Sequence, residues 1–175
     1  MHTINIDQLR SDFDKQQYIN ACINDHQVDI QFEYASDFRN AKFLRDLMEV
    51  IFITFDFPKR DIARFILASD EMNNNAIEYG SSENETNFLR VKINKQNTII
   101  SLSMEVEDTW HGKFAKTAEE MEEFKNIRIH ENFAEHKSIR WRWLFLIIIN
   151  IVDELYFKNT TNGGLIVWFK KDLLI

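Results

Sequence analysis

The stretch "LASDEMNNNAIEYG", Leu67 to Gly80, decides how the rest of the chain is read. It has the period of a helix, yet its centre is Asn73, Asn74 and Asn75. Asparagine is a poor helix former because its side chain competes for backbone hydrogen bonds. Glu71 and Asn75 are four residues apart and share one helix face, with Glu78 close to it. Asn73 and Asn74 are expected to point elsewhere. An acid and an amide oxygen on one stripe suit a hard cation such as Mg²⁺, which takes oxygen ligands and keeps several waters. The acid can equally serve as a base beside bound phosphates. A solvated polar stripe is the third reading of the same spacing.

The apolar positions Ile62, Phe65, Ile66, Ser69, Met72 and Ala76 extend this helix back to about Asp61, and Gly80 is expected to end it as a left-handed cap. Pro58 separates it from an earlier helix over 38–55. "VDIQFEY" (Val28–Tyr34) alternates like a half-buried strand. Strands are also expected over 88–93, 98–106, 155–158 and 165–170, with hairpin turns at "NKQN" and "NTTNGG". "AEEMEEF" reads as a short helix in an acidic lid region over 113–138, and a further helix is expected from about Ile139 to Asp153. Residues 1–27 read as a polar helical extension, and 28–175 as one domain. The strands do not alternate regularly with helices. The pattern therefore predicts an α+β fold, a two-layer sandwich with helices on one face of a mixed, mostly antiparallel sheet.

Composition narrows the function. A net charge of −7 argues against a nucleic-acid groove. One cysteine, Cys22, allows no internal disulfide and no cysteine metal cluster, and packing is its expected role. No histidine pair has metal-ligand spacing. The start of the chain has no basic stretch followed by an apolar run, and "WLFLIIINIV" is too short to cross a membrane, so a cytoplasmic protein is expected.

Asp70, Glu71, Asn75, Ala76, Ile77, Glu78, Tyr79 and Gly80 together resemble the N-box of the GHKL ATPases, the superfamily of gyrase, histidine kinases and mismatch-repair ATPases. The bacterial anti-sigma-factor serine kinases are the most similar group. "IVDELYF" (Ile151–Phe157) resembles the segment after that family's ATP lid, and "NGGLIVWF" (Asn162–Phe169) its closing hairpin. The resemblance spans roughly residues 28–172 and implies the GHKL (Bergerat) fold. It implies Mg²⁺ on Asn75, with the metal bridging ATP phosphates, and Glu71 as the base that prepares a partner's serine. Asp108 falls where the family holds the adenine amino group, and Gly112 on the glycine after it. The implied partners are a sigma factor or similar regulator and an antagonist protein, with a homodimer as the family's usual state.

The chain departs from the family at three places. Asp108-Thr109-Trp110 stands where the family has Asp, any residue, Gly. "SIRWRWLFLI" (Ser138–Ile147) lacks the phosphate-cradling glycines, leaving Lys137, Arg140 and Arg142 to meet phosphate charge. Leu165 replaces a threonine. Two functions follow: a divergent ATP-dependent serine protein kinase in bacterial partner switching, or a non-catalytic protein-interaction module that has lost nucleotide binding.

Overall fold

The computed structural model describes residues 1–6, 9, 15–24, 26–130 and 150–175, with side chains described for all of these but 127–130. Alternation in "QVDIQFEYA" produces strand β2 (Gln27–Ala35), which buries Val28, Ile30, Phe32 and Tyr34 and leaves Asp29, Gln31 and Glu33 on the other face. The same period continues in β3 (Thr86–Gln96) and β4 (Ile99–Glu107), which bury Leu89, Val91, Ile93, Leu102, Met104 and Val106. The two-residue loop between them holds Asn97 at φ 50°, a conformation asparagine tolerates in tight hairpins.

Strands β1 (His2–Asn5), β5 (Glu154–Asn159) and β6 (Leu165–Leu174) complete a six-stranded sheet of order β1-β2-β3-β4-β6-β5. Among the described strand pairs only β1–β2 is parallel. Helices α1 (Lys15–Cys22), α2 (Phe38–Thr54), α3 (Lys59–Asn75) and α4 (Ala118–His130) complete an α+β fold. Asp37 caps α2 by accepting from the Arg39 N–H at 2.8 Å, and Pro58 sets the start of α3. The apolar stripes of α2 (Leu44, Leu47, Met48, Ile51) and α3 (Phe65, Ala68, Met72) join the inner sheet face in one core. Phe65 stacks on Phe169 of β6, with ring centroids 6.3 Å apart, and fixes α3 against the sheet. The opposite sheet face carries Arg90, Lys92, Ser101, Ser103 and Glu105, so the fold has two layers.

Two local expectations change. The first 27 residues are not helical throughout. They begin with β1, and Ile4, Ile6 and Ile19 enter the core at 3% exposure or less. A four-residue strand is too short to show its period against the neighbouring polar residues. Gly80 is not a left-handed cap, since its φ is not positive. The backbone instead widens into a π-helical turn over Ala76–Gly80, closed by Ser81 N–H donating to the Ala76 carbonyl at 2.9 Å. Most of the helix expected from Ile139 to Asp153 lies outside the described residues. No helix among the described residues is long and apolar enough to cross a membrane.

Candidate functional site

The three asparagines separate into different roles. Asn73 is buried at 1% exposure; its Oδ1 accepts from Tyr34 Oη at 2.7 Å, and its Nδ2 donates to the Ser69 carbonyl at 2.8 Å. It is a structural tie between α3 and β2. Glu71, Asn74, Asn75 and Glu78, together with Phe38, line one open groove of about 480 Å³. Glu71, Asn75 and Glu78 thus come together as their spacing predicts. Asn74 joins them, against expectation. On a helix of 3.6 residues per turn, position i+3 lies beside i+4, and that signal was present in the sequence.

Burial raises the Glu71 carboxyl pKa, and the negative charges of Asp70 and Glu78 push it the same way. Asp70 itself turns toward α2 and pairs with Arg45 at 2.5 Å. Asn75 is half-buried, and its Nδ2 is shielded from water with no hydrogen-bond partner among the described residues. Asn75 also lines a second, smaller cavity, so this residue joins the groove to the space around Asp108.

Asp108 follows β4 and is 9% exposed. Its Oδ1 accepts two backbone N–H groups, from Trp110 and Leu165, both at 3.0 Å. Burial pushes its pKa up to about 6, against the opposing pull of these two bonds. Two of the four glycines in the chain pack on Asp108, Gly80 on its carboxylate and Gly164 on its main chain, and a third, Gly112, packs on Tyr79 and Gly80. A Cβ on Gly80 would lie 2.1 Å from Asp108 Oδ2, and one on Gly164 would lie 2.1 Å from the Asp108 carbonyl oxygen. Gly112 donates its N–H to the Gly80 carbonyl at 3.1 Å, and a Cβ on it would lie 2.0 Å from the Tyr79 carbonyl. These are close approaches that only glycine allows. The glycines of "EYG" and "NGG", far apart along the chain, meet at one acid, and that of "WHG" backs the first of them.

Trp110 sits at φ 63°, the left-handed region that glycine enters without cost. The backbone takes the turn a glycine would take, and the indole leaves for solvent at 45% exposure. It lies beside Gly163, outside the cavity. Tyr79, Phe114, Met121 and Leu165 are among the side chains that line the cavity instead. Met121 of α4 and Leu165 are 1% and 5% exposed, and they pack with Ala118 and Phe157 in a small apolar cluster. The cavity that Asn75, Asp108, Tyr79, Met121 and Leu165 help to line measures about 20 Å³, room for about one water molecule.

Helix α4 is well anchored there. Thr117 and Glu120 form a reciprocal cap: the Thr117 N–H donates to Glu120 Oε2 at 2.9 Å, and Glu120 N–H to Thr117 Oγ1 at 3.3 Å. Asn159 of β5 accepts from the Ala118 N–H at 2.7 Å. At the start of the same segment, Thr109 donates to Glu85, and His111 Nδ1 lies 2.6 Å from Glu85 Oε1. Met121 is the contributor that sequence reading missed, because an acidic segment of low apolar content shows no face. Lys137, Arg140 and Arg142 lie outside the described residues. Among the described residues, no three His, Cys, Asp or Glu side chains gather to hold a metal. The chain matches no protein-family model, and no curated protein matches it.

Proposed function

We propose that this chain is a divergent ATP-dependent serine protein kinase of the anti-sigma-factor type. One observation carries the reading: the Glu71–Asn75 groove adjoins, through Asn75, a buried Asp108 against which Gly80 and Gly164 pack, with Gly112 behind Gly80. Phosphoryl transfer asks a protein mainly for positioning and charge neutralisation, so few side chains suffice.

Asp108 would receive the base's amino group on Oδ2, the oxygen that accepts no hydrogen bond among the described residues. The oxygen donors of the groove fit Mg²⁺, with the Asn75 carboxamide as ligand and the remaining positions left to phosphate and water. Bound there, the metal would neutralise phosphate charge. Glu71 would take the proton from a partner's serine hydroxyl as the serine oxygen attacks the terminal phosphorus of ATP and the bond from that phosphorus to the bridging oxygen breaks, releasing ADP, and the raised pKa suits that task. Lys137, Arg140 and Arg142 are the cations assigned to phosphate. The partners on this reading are a sigma factor or similar regulator, held by a homodimer, and an antagonist protein that receives the phosphate, all in the cytoplasm.

A specific observation favours the second reading, a non-catalytic interaction module. A cavity of about 20 Å³ holds no purine, so Met121 and Leu165 must move before nucleotide enters. Titration with Mg·ADP separates the two, since a ligand that binds only the folded state raises the melting temperature. The kinase reading expects a rise in the wild type and an equal rise in Glu71→Gln, with phosphate transfer lost in that variant alone. No rise at millimolar nucleotide leaves the interaction module.

A further inference from the structure

At the opposite end of the sheet from Asp108, the outer face holds a cavity of about 540 Å³, within the size range of small-molecule sites. Its floor is set by strand register. Lys92 of β3, Ser103 of β4 and Lys170 of β6 are direct cross-strand partners in one row. Strands lie about 4.8 Å apart, so the two lysines flank Ser103 at roughly equal distances.

The three side chains offer unspent donors. Ser103 Oγ accepts from Trp168 Nε1 at 2.7 Å, which leaves its own hydroxyl proton to give. Lys92 reaches Asp29 only at 3.7 Å, and that carboxylate is already held by Arg90 through two hydrogen bonds of 2.9 and 3.0 Å. Lys170 pairs with Asp172 at 3.3 Å, the acid to which Ser101 also hydrogen-bonds. In the next row, Asn94 lines the same cavity, and its Oδ1 is shielded from water with no donor among the described residues. Buried polar atoms are rarely left without a partner.

We propose that this trough binds a small oxyanion-bearing molecule. Its anionic group would sit over Ser103 between Lys92 and Lys170, and a hydroxyl or amine on its body would donate to Asn94. The anion head selects for charge, and the Asn94 acceptor selects against a bare inorganic ion. The site is independent of the groove at Glu71.

The test is amide NMR of the full chain, titrated separately with inorganic phosphate, glycerol 3-phosphate and citrate. Saturable shifts at Lys92, Ser103 and Lys170 are expected. Glycerol 3-phosphate should bind about tenfold tighter than inorganic phosphate if the donor to Asn94 is made. The phosphate and citrate arms identify which oxyanion is held. The double variant Lys92→Gln/Lys170→Gln, folded by its own spectrum, should lose the shifts, and Ser103→Ala should weaken them. Absence of saturable shifts with all three probes overturns the proposal. So does undiminished binding in the folded double variant.

Discussion

Asp108 Oδ2 faces the Gly80 backbone so closely that a methyl group there would lie 2.1 Å from it. The acid and the glycine come from different elements, the end of the π-helical turn and the segment after β4. Their contact brings the polar end of α3 to the Asp108 cavity.

Gly80→Ala tests that contact directly. The added methyl must displace a carboxylate that two backbone N–H groups hold in place. Overpacking of this kind costs about 1–3 kcal/mol. Urea unfolding should show a loss in that range. A change below about 0.5 kcal/mol would mean that Asp108 yields freely.

Asp108→Asn should give a distinctive pH signature. Folding raises the pKa of this group from 3.8 to about 6. Between those values the native state keeps a proton that the unfolded chain releases. The stability Asp108 contributes is therefore full below pH 3.8 and lost as pH rises through about 6. The amide keeps the acceptor for Trp110 and Leu165 and carries no charge. The variant should be more stable than wild type at neutral pH by roughly 2 kcal/mol, with no such advantage below the lower pKa. On the kinase reading it also loses nucleotide, a trade of stability for function.

Trp110 occupies a backbone region that costs a residue with a Cβ about 1–2 kcal/mol. Trp110→Gly should therefore be more stable than Trp110→Ala by about 1 kcal/mol, reversing the usual order of these two residues. Thermal unfolding of the pair measures it.

Leu165→Thr addresses the obstruction beside Asp108. Leu165 is 5% exposed and packs on Met121 and Phe157. Trimming it should cost about 1–3 kcal/mol through lost apolar contact and a buried hydroxyl. If the cavity is an obstructed nucleotide site, Mg·ADP affinity should rise in this variant despite the lower stability. Unchanged affinity, or none in either protein, would favour the interaction module.

Much of this was legible in the sequence. Alternation at Val28, Ile30, Phe32 and Tyr34 placed β2 and its buried face, and Glu71 with Asn75 placed the groove. Periodicity failed where the signal was short or diluted: in β1, whose strand is four residues long, and in α4, where Met121 is surrounded by acids. It also failed where spacing says nothing about distance. Nothing local in "EYG", "WHG" or "NGG" shows that Gly80 and Gly164 meet at Asp108 with Gly112 behind Gly80, because that meeting is made by strand order and not by sequence separation. The helical segment does end at Gly80, but its lack of a side chain serves a neighbour far along the chain and not a left-handed cap.

The bond from Tyr34 to Asn73 sets the roll of α3 about its own axis. One phenol on the sheet engages one carboxamide, so the helix cannot turn by a single residue without stranding both groups in the core. The outward face can then be rewritten residue by residue while its aim stays constant. Chemistry at Glu71, Asn74, Asn75 and Glu78 is thus free to diverge on a mounting that does not move.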